Sequence, residues 1–378
     1  MSGAAGRPGA LGRIWWSPSP GLADRVLLAP LSVAEVVFRL GVALRGTLYD
    51  RGVLPAVRAK VPVISVGNLS VGGAGKTPAV LALAERLLAA GRRPAVLSRG
   101  YGSEGAGPRV VSDGQSLLLP ASQGGDEPVL LAHRLPRVPV VCGPDRAALA
   151  RIAVDDLGAD VLVLDDGFQH RHLRRDLDIV VLDASNPFGN GHCLPRGPNR
   201  EPPGALSRAG LLWLTHADGA PEGRLAELRA AARRFTGRDP VESRHAPREL
   251  LGATLERSYG LDSLSGARVA LLTGVARPEN VRRTVESLGA SVIVCRHYPD
   301  HHPFTESELA EVLGAAARAG ASPLVTTEKD AVRLPRGWRS EPRLRVLRIE
   351  AEVLRGGASL EAAVAEALQA GGGPGGRA

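Results

Sequence analysis

Residues 63–80 read VISVGNLSVGGAGKTPAV, an apolar run that breaks into glycines and ends in a lysine and a threonine. Residues 61–68 have the pattern of a buried strand, and residues 78–91 have the pattern of a helix closed by a glycine. Strand, glycine-rich loop, Gly-Lys-Thr and helix, in this order, are the context of a phosphate-binding loop, where backbone N–H groups face the phosphates. The stretch therefore predicts a nucleotide site.

The lysine in this loop is one of few in the chain. Among 47 Lys and Arg residues, only Lys60, Lys76 and Lys329 are lysines. A compact ammonium at Lys76 suits the β- and γ-phosphates of a nucleotide, and the Thr77 hydroxyl suits Mg²⁺. The usual G-x-x-x-x-G-K-[ST] pattern is not met in full, because Ser70 stands at the first glycine position. The predicted nucleotide-binding residues are Ser70, Val71, Gly72, Gly73, Ala74, Gly75, Lys76 and Thr77.

A second stretch, ADVLVLDDGFQH at residues 159–170, is a buried-strand pattern that ends in two aspartates. This is the form of a Walker B strand, whose carboxylate binds Mg²⁺ directly or through water. Asp165 ends the apolar run and is predicted to bind Mg²⁺, while Asp166 is predicted to face the reaction. A simple surface turn is the alternative, and the nearby phosphate loop counts against it.

Strand and helix patterns alternate through the rest of the chain, which predicts an α/β fold: a P-loop NTPase with a doubly wound, mostly parallel sheet. A second, smaller α/β unit follows, and an amphipathic helix precedes the core. The carboxyl ends of parallel strands lie at one edge, so Ser98, Arg99, Lys76 and the aspartate pair should converge there. The predicted boundaries are a membrane-interface segment at 1–60, a P-loop core at 61–246, the second unit at 247–370 and a disordered tail at 371–378.

Composition and charge narrow the partners. The chain has 378 residues, 44% apolar residues, a net charge of +8 and a pI near 10.1, which suits an anionic partner. An aromatic content of 3% argues against a nucleic-acid stacking surface. The three cysteines have no zinc or disulfide spacing, and a reducing cytosol fits them best.

The first sixty residues carry most of the excess positive charge, and residues 32–52 have apolar residues at helical spacing with Arg39 and Arg45 among them. Ser32 and Glu35 form a capping-box pattern at the start of this helix. A basic amphipathic helix after the tryptophans of residues 13–21 is typical of an interfacial membrane element. The alternative is that its apolar stripe packs on the protein's own core. No run is long and apolar enough for a transmembrane helix.

Three further motifs carry candidate chemistry. Asp126 and Glu127 start a predicted helix, where a carboxylate is either a capping group or a base for an incoming hydroxyl. Basic residues follow the aspartate pair, His170 among them, and a rigid loop at 193–202 carries Arg200 and Glu201; both are candidates for an acceptor site. Lys329 lies in TTEKD, which also fits a turn with a local Glu328–Lys329 ion pair, and it is left out of the catalytic set.

The chain resembles the tetraacyldisaccharide 4'-kinase family of lipid A biosynthesis. The resemblance rests on SVGNLSVGGAGKTP, LSRGYG, GDEP, LDDGFQHR, DLDIVVLDA, LPRGPNREP, YPDHHPF and TTEKDAVRL, in that order, over about residues 61–334. It implies transfer of the γ-phosphate of MgATP to the 4'-hydroxyl of a tetraacyldisaccharide 1-phosphate to give lipid IVA. It also implies a peripheral enzyme on the cytoplasmic face of the bacterial inner membrane, without an obligate protein partner.

The resemblance further implies that Asp126 and His301 act together as the base. Lys76 and Asp166, assigned above from their own motifs, complete the predicted catalytic set. His301 is preferred to the adjacent His302, because the family pattern is Asp-His directly after an aromatic-Pro pair. We expect the lipid substrate to contact Arg99, Tyr101, His170, Arg200 and Glu201. The alternative function is a P-loop signalling or assembly ATPase with a KGGxGKT loop, but this chain has Val71 where that class has lysine.

Overall fold

A computed structural model describes residues 14–17, 21–100 and 107–371. Tyr101 and most of the predicted tail, residues 372–378, lie outside the described residues. The first part of the chain forms α1 (Leu22–Leu28), α2 (Leu31–Asp50), β1 (Val63–Gly67), α3 (Lys76–Ala89), β2 (Pro94–Ser98), β3 (Arg109–Asp113), α4 (Ala121–Gly124), α5 (Asp126–Arg134), β4 (Pro139–Cys142), α6 (Arg146–Arg151), β5 (Val161–Asp165), β6 (Leu177–Asp183), β7 (Leu211–Thr215), α7 (Glu222–Thr236) and β8 (Val241–Leu251).

The second part begins with a short strand beside β8 and then alternates strands and helices. It forms β9 (Ser258–Tyr259), β10 (Arg268–Thr273), α8 (Pro278–Ser287), β11 (Ser291–His297), α9 (Glu306–Arg318), β12 (Leu324–Thr327), α10 (Glu328–Ala331), β13 (Leu344–Arg355) and α11 (Gly357–Gly371).

The strands form a single thirteen-stranded sheet in the order β11-β10-β12-β13-β8-β7-β6-β1-β5-β2-β4-β3, with β9 beside β8. Neighbours are parallel except for the pairs β13–β8, β3–β4 and β8–β9. The predicted α/β fold with a mostly parallel sheet is thereby confirmed. The predicted boundary between residues 246 and 247 lies inside β8, so the P-loop core and the second unit share one hydrogen-bonded sheet.

The phosphate loop follows the central strand of the first half of the sheet. All five residues of β1 are buried, and β1 pairs with β5 on one side and β6 on the other. A strand covered on both faces needs apolar side chains throughout, which is the pattern of residues 63–67. Val66 of β1 is in register with Asp165 of β5, so the two predicted nucleotide motifs end side by side.

The start of α2 differs from the predicted capping box. The helix begins at Leu31, with Pro30 at the N-cap position and no side-chain cap. The Glu35 side chain instead accepts a hydrogen bond from the backbone N–H of Cys193 at 2.9 Å. The capping-box prediction at Ser32 is therefore wrong, because a buried tertiary contact takes the carboxylate that the cap would have used. A capping box is present at the start of α9 instead, formed by Thr305 and Glu308.

Most of the large apolar side chains of α1 and α2 are exposed to solvent. Val33 is 72% exposed, and seven more large apolar residues of these helices are more than half exposed: Leu22, Val26, Leu27, Val36, Val37, Leu40 and Leu44. In the described part of the chain no single helix reaches the length and hydropathy needed to cross a membrane, and only α1 and α2 taken together, bent at their junction, pass that test.

Candidate active site

The phosphate loop has the backbone that its glycines predict. Gly72 and Gly75 have φ values of +94° and +84°, a region that favours glycine, and Gly75 is the N-cap residue of α3. Ser70 does not have positive φ and forms a β-bridge with Asn199. Serine is therefore accommodated where the usual motif has glycine.

Hydrogen bonds join the phosphate loop to the proline-rich loop at 193–202. The Val71 N–H donates to the Pro198 carbonyl at 2.8 Å, and the Arg200 N–H donates to the Leu69 carbonyl at 2.6 Å. Asn199 is fully buried, and its amide nitrogen donates to the carbonyls of Phe188 and His192, both at 2.9 Å. These bonds place Arg200 beside the nucleotide motifs, although the two loops are far apart in sequence.

Lys76, Asp166 and Arg200 form one charged cluster. Lys76 Nζ lies 3.4 Å from Asp166 Oδ1, and Arg200 Nη1 donates to both oxygens of Asp166 at 2.9 and 2.8 Å. Burial raises the pKa of Asp166, but the two cations outweigh burial and hold that pKa at about 2. Asp166 also has a φ of +55°, unusual for a residue with a side chain and more frequent at functional sites. Asp166 is thus an ionised carboxylate that orients Lys76.

Asp165 has the properties of a ligand for a hard cation. Ser98 donates to its Oδ2 at 3.0 Å, whereas its Oδ1 is buried without a hydrogen-bond partner among the described residues. Burial, and next the nearby carboxylates of Glu127 and Asp166, raise the pKa of Asp165 to about 7. Mg²⁺ is usually held by one or two protein oxygens together with substrate phosphates. A carboxylate oxygen without a partner at the end of β5 fits that requirement.

Asp126 and His301 meet although they are far apart in sequence. Asp126 Oδ2 lies 3.0 Å from His301 Nδ1. Asp126 is the first residue of α5, and the N-cap position before it is Gly125. His301 has a φ of +63°, a second strained residue in the site. The adjacent His302 instead contacts Glu308 at 3.0 Å.

Sequence reasoning placed Lys329 outside the site and missed Arg333, yet both residues contact the Asp126–His301 pair. Lys329 Nζ lies 3.4 Å from His301 Nε2, and Arg333 Nε lies 3.4 Å from Asp126 Oδ2. The predicted local ion pair between Glu328 and Lys329 is wrong, because Glu328 bonds Arg134 at 2.9 Å instead. The signal for Lys329 was the scarcity of lysine in the chain.

Arg146 is a further buried cation that sequence reasoning missed. Its side chain is almost fully buried, its Nη1 donates to the Gly143 carbonyl at 2.5 Å, and its Nε has no hydrogen-bond partner among the described residues. Burial, followed by the charge of Arg146, lowers the pKa of the predicted substrate residue His170 to about 4. His170 is therefore a neutral imidazole in a positively charged environment.

A cavity of about 790 Å³ lies between α2 and residues 200–208, and two of the remaining predicted residues belong to its lining. Arg200 and Glu201 line it, together with four arginines from other elements, Arg39, Arg45, Arg171 and Arg208. Glu201 accepts hydrogen bonds from Gln169 at 3.1 Å and from Arg208 at 3.0 Å. Arg99 follows β2 and is exposed, at the same edge of the sheet as Asp165.

Comparisons with known proteins identify the family. A family model described as tetraacyldisaccharide-1-P 4'-kinase matches residues 25–369. A tetraacyldisaccharide 4'-kinase from Anaeromyxobacter dehalogenans (strain 2CP-C) is 62% identical over 354 residues, or 93% of this chain and 94% of that protein. One from Syntrophus aciditrophicus (strain SB) is 44% identical over 330 residues, 85% of this chain and 88% of that protein.

A solved structure agrees with the sequence comparisons. The crystal structure of LpxK from Aquifex aeolicus in complex with ATP covers 90% of this chain and 99% of its own, with a TM-score of 0.74 and 31% identity. The resemblance drawn from the motifs is thereby confirmed, and the alternative of a signalling or assembly ATPase is not favoured. The chain belongs to the tetraacyldisaccharide-1-P 4'-kinase family.

Proposed function

We propose that this protein transfers the γ-phosphate of ATP to the 4'-hydroxyl of a tetraacyldisaccharide 1-phosphate, a step of lipid A biosynthesis. The observation that carries the proposal is the meeting of Asp126 and His301 beside the phosphate loop. Family membership indicates the substrate, and the contact between Asp126 and His301 indicates the base that acts on its hydroxyl. The Glu127 carboxylate is close enough to raise the pKa of Asp165, so the predicted base and the predicted Mg²⁺ ligand share one site.

The nucleotide binds at the carboxyl end of β1. The backbone of residues 70–77 cradles the phosphates, and the Lys76 ammonium neutralises charge on the β- and γ-phosphates. Thr77 and Asp165 would hold Mg²⁺, which would neutralise charge on the transferred group. Asp166 holds Lys76 in position, and Arg200 anchors Asp166 from the opposite side.

The acceptor hydroxyl gives its proton to the Asp126 carboxylate as its oxygen bonds to the γ-phosphorus, and the bond from that phosphorus to the leaving ADP oxygen breaks. Asp126 is suited to this step because His301 and Arg333 orient it from two sides. His301 fixes the direction of the carboxylate rather than contacting the nucleotide.

The acceptor lipid enters through the cavity beside α2. Arg39, Arg45, Arg171 and Arg208 line this cavity, and arginine is well suited to a sugar phosphate. The exposed apolar face of α1 and α2 docks on the anionic cytoplasmic surface of the inner membrane, where a substrate with four acyl chains resides. The polar side of α2 is held against the site, since Arg171 bonds Asp50 at 2.5 Å and Arg45 bonds the Gln169 carbonyl at 3.1 Å.

The test is transfer of label from [γ-³²P]ATP to tetraacyldisaccharide 1-phosphate in detergent micelles. Lys76→Ala and Asp126→Asn should each lower kcat by about 10²–10⁴-fold, the usual range for loss of such a group. Asp155→Asn is the matched control, because Asp155 only pairs with the exposed Lys60. ATP hydrolysis by the parent protein without labelled lipid would overturn the proposal and favour an ATPase.

A further inference from the structure

The helix α10 and the turn after it are fastened to α5 by three ion pairs. Glu328 pairs with Arg134 at 2.9 Å, Lys329 pairs with Glu127 at 3.3 Å, and Arg333 reaches Asp126 at 3.4 Å. Each pair joins the second unit to the P-loop core. Asp126 is the base in the proposed reaction, and Lys329 has no role in that reaction as described.

Lys329 faces the far side of the His301 ring. Its Nζ lies 3.4 Å from His301 Nε2, while His301 Nδ1 lies 3.0 Å from Asp126 on the opposite side of the ring. The ammonium is held by Asp300 at 3.1 Å and Glu127 at 3.3 Å, and its side chain is 22% exposed. Burial lowers the pKa of Lys329, but these two carboxylates outweigh it and raise that pKa above the ordinary value.

A lysine ammonium has hydrogens to donate and no lone pair to accept with. His301 Nε2 must therefore be unprotonated to accept from Lys329. A neutral imidazole carries one proton, so that proton is on Nδ1, where it donates to Asp126. We propose that Lys329 is a positioning residue that holds His301 neutral, as its Nδ1–H tautomer, so that Asp126 stays a strong base; the proposal rests on the proposed function.

Removal of the ammonium changes what the His301 ring faces. Asp126 at 3.0 Å and Asp300 at 3.8 Å are then its charged neighbours, and both favour the imidazolium. An imidazolium beside Asp126 stabilises its ionised form and weakens it as a base. Arg333 contacts Asp126 with or without Lys329, so the charge on His301 is the variable that Lys329 controls.

The test uses three variants of the full chain in the labelling assay. Lys329→Met should shift the acid limb of the pH profile of kcat/KM to higher pH by about one unit or more, which is the size of shift that a nearby charge causes. Lys329→Arg should retain the parent limb, because guanidinium is also a donor without an acceptor. Lys60→Met is the matched control and should leave the profile unchanged, since Lys60 is a 75% exposed partner of Asp155.

Nitrogen-15 NMR of His301 gives a second measurement that needs no turnover. The parent should have a protonated Nδ1 and an unprotonated Nε2 at neutral pH, and Lys329→Met should have both nitrogens protonated. Equal loss of activity at every pH together with an unchanged tautomer would overturn the proposal and leave Lys329 a structural residue. A parent that labels no lipid would overturn the proposed function instead, with the tautomer measurement still decisive for Lys329.

Discussion

Gly75 in the phosphate loop has a positive φ and close neighbours. A Cβ at this position would lie 2.8 Å from His245 Nε2 and 2.9 Å from Thr215 Cγ2. Gly75→Ala should lower the free energy of unfolding by about 2–5 kcal/mol, from left-handed strain and from overpacking. Gly91→Ala is the control, with a φ of +73° and open space around its Cβ, and should cost about 1–2 kcal/mol. The midpoints of urea denaturation measure the stability of both variants. Equal losses of stability would mean that the close contacts with His245 and Thr215 add nothing to the strain.

His245, behind the same loop, predicts how stability depends on pH. Burial and then the adjacent His216 and Arg277 lower its pKa to about 3, whereas the neighbouring Asp183 acts in the opposite direction. The unfolded chain, with an ordinary histidine pKa near 6.5, binds more protons than the folded chain between about pH 3 and pH 6.5. Stability from this group is thus complete above about pH 6.5 and falls as the pH drops through that window.

His245→Gln should reduce this acid loss of stability, measured as the difference between urea midpoints at pH 7.5 and pH 5. The low pKa of His170 acts in the same direction, but it is present in both proteins and cancels in the comparison. An identical midpoint difference in the variant and the parent would show that His245 titrates normally when folded.

At the residue scale, motif positions were predictable and their contacts were not. Lys76, Asp165 and Asp166 follow from a strand, glycines and a second strand, because those patterns depend on local sequence. Arg146 stands in none of the quoted motifs, and Lys329 stands in one, TTEKDAVRL, whose chemistry the sequence left open. Their importance depends on burial and on neighbours from distant parts of the chain, which one sequence does not reveal.

At the element scale, Glu35 gives α2 a fixed attachment to the rest of the protein. Its carboxylate accepts from Cys193 and contacts His192 at 3.1 Å. Glu35→Ala leaves a buried N–H group without its acceptor, so it should cost about 1–3 kcal/mol of stability. Ser32→Ala should change stability by no more than about 0.5 kcal/mol, because Ser32 caps nothing. Chemical denaturation measures the stability of both variants. A larger loss of stability for Ser32→Ala would mean that Ser32 does cap the helix.

Helices and strands were easier to predict than the reasons for their ends. The predicted helix at 32–52 is observed as Leu31–Asp50, since apolar periodicity over several turns is a strong signal. The cap was wrong because a four-residue pattern carries no information about the loop at 193–202. A capping box does form at Thr305 and Glu308, where the other partner of the Glu308 carboxylate, His302, is close in sequence and leaves the carboxylate at the helix start.

At the scale of the whole molecule, the joining of the units was beyond sequence reasoning. β8 runs for eleven residues and pairs antiparallel with β13, the last strand of the second unit. Strand patterns identify each partner, but they do not say which strands pair across about a hundred residues. The pairing matters for function, because it fixes the side of the sheet on which His301 approaches Asp126.

The exposed face of α2 should govern attachment to lipid surfaces. Replacement of Val33, Val37 and Leu44 by glutamine removes apolar area without adding charge, and none of the three lines the acceptor cavity. Binding to phosphatidylglycerol vesicles should fall at least about tenfold, since burying each such side chain contributes about 1.5–3 kcal/mol. Leu354→Gln is the control, at a 42% exposed apolar position in β13. If the variant sediments with the vesicles as well as the parent protein does, this face is not the membrane-binding surface.

With α2 docked on the membrane as proposed, catalysis is confined to two dimensions, because α2 is apolar on its outer side and tied to the catalytic loops on its inner side. Once the enzyme is adsorbed, encounters depend on the number of acceptor molecules per unit area rather than on their bulk concentration. Dilution of the acceptor with inert detergent at constant total volume should slow turnover, although no inhibitor has been added. The KM for the acceptor is then expressed as the mole fraction of acceptor in the surface rather than as its bulk concentration.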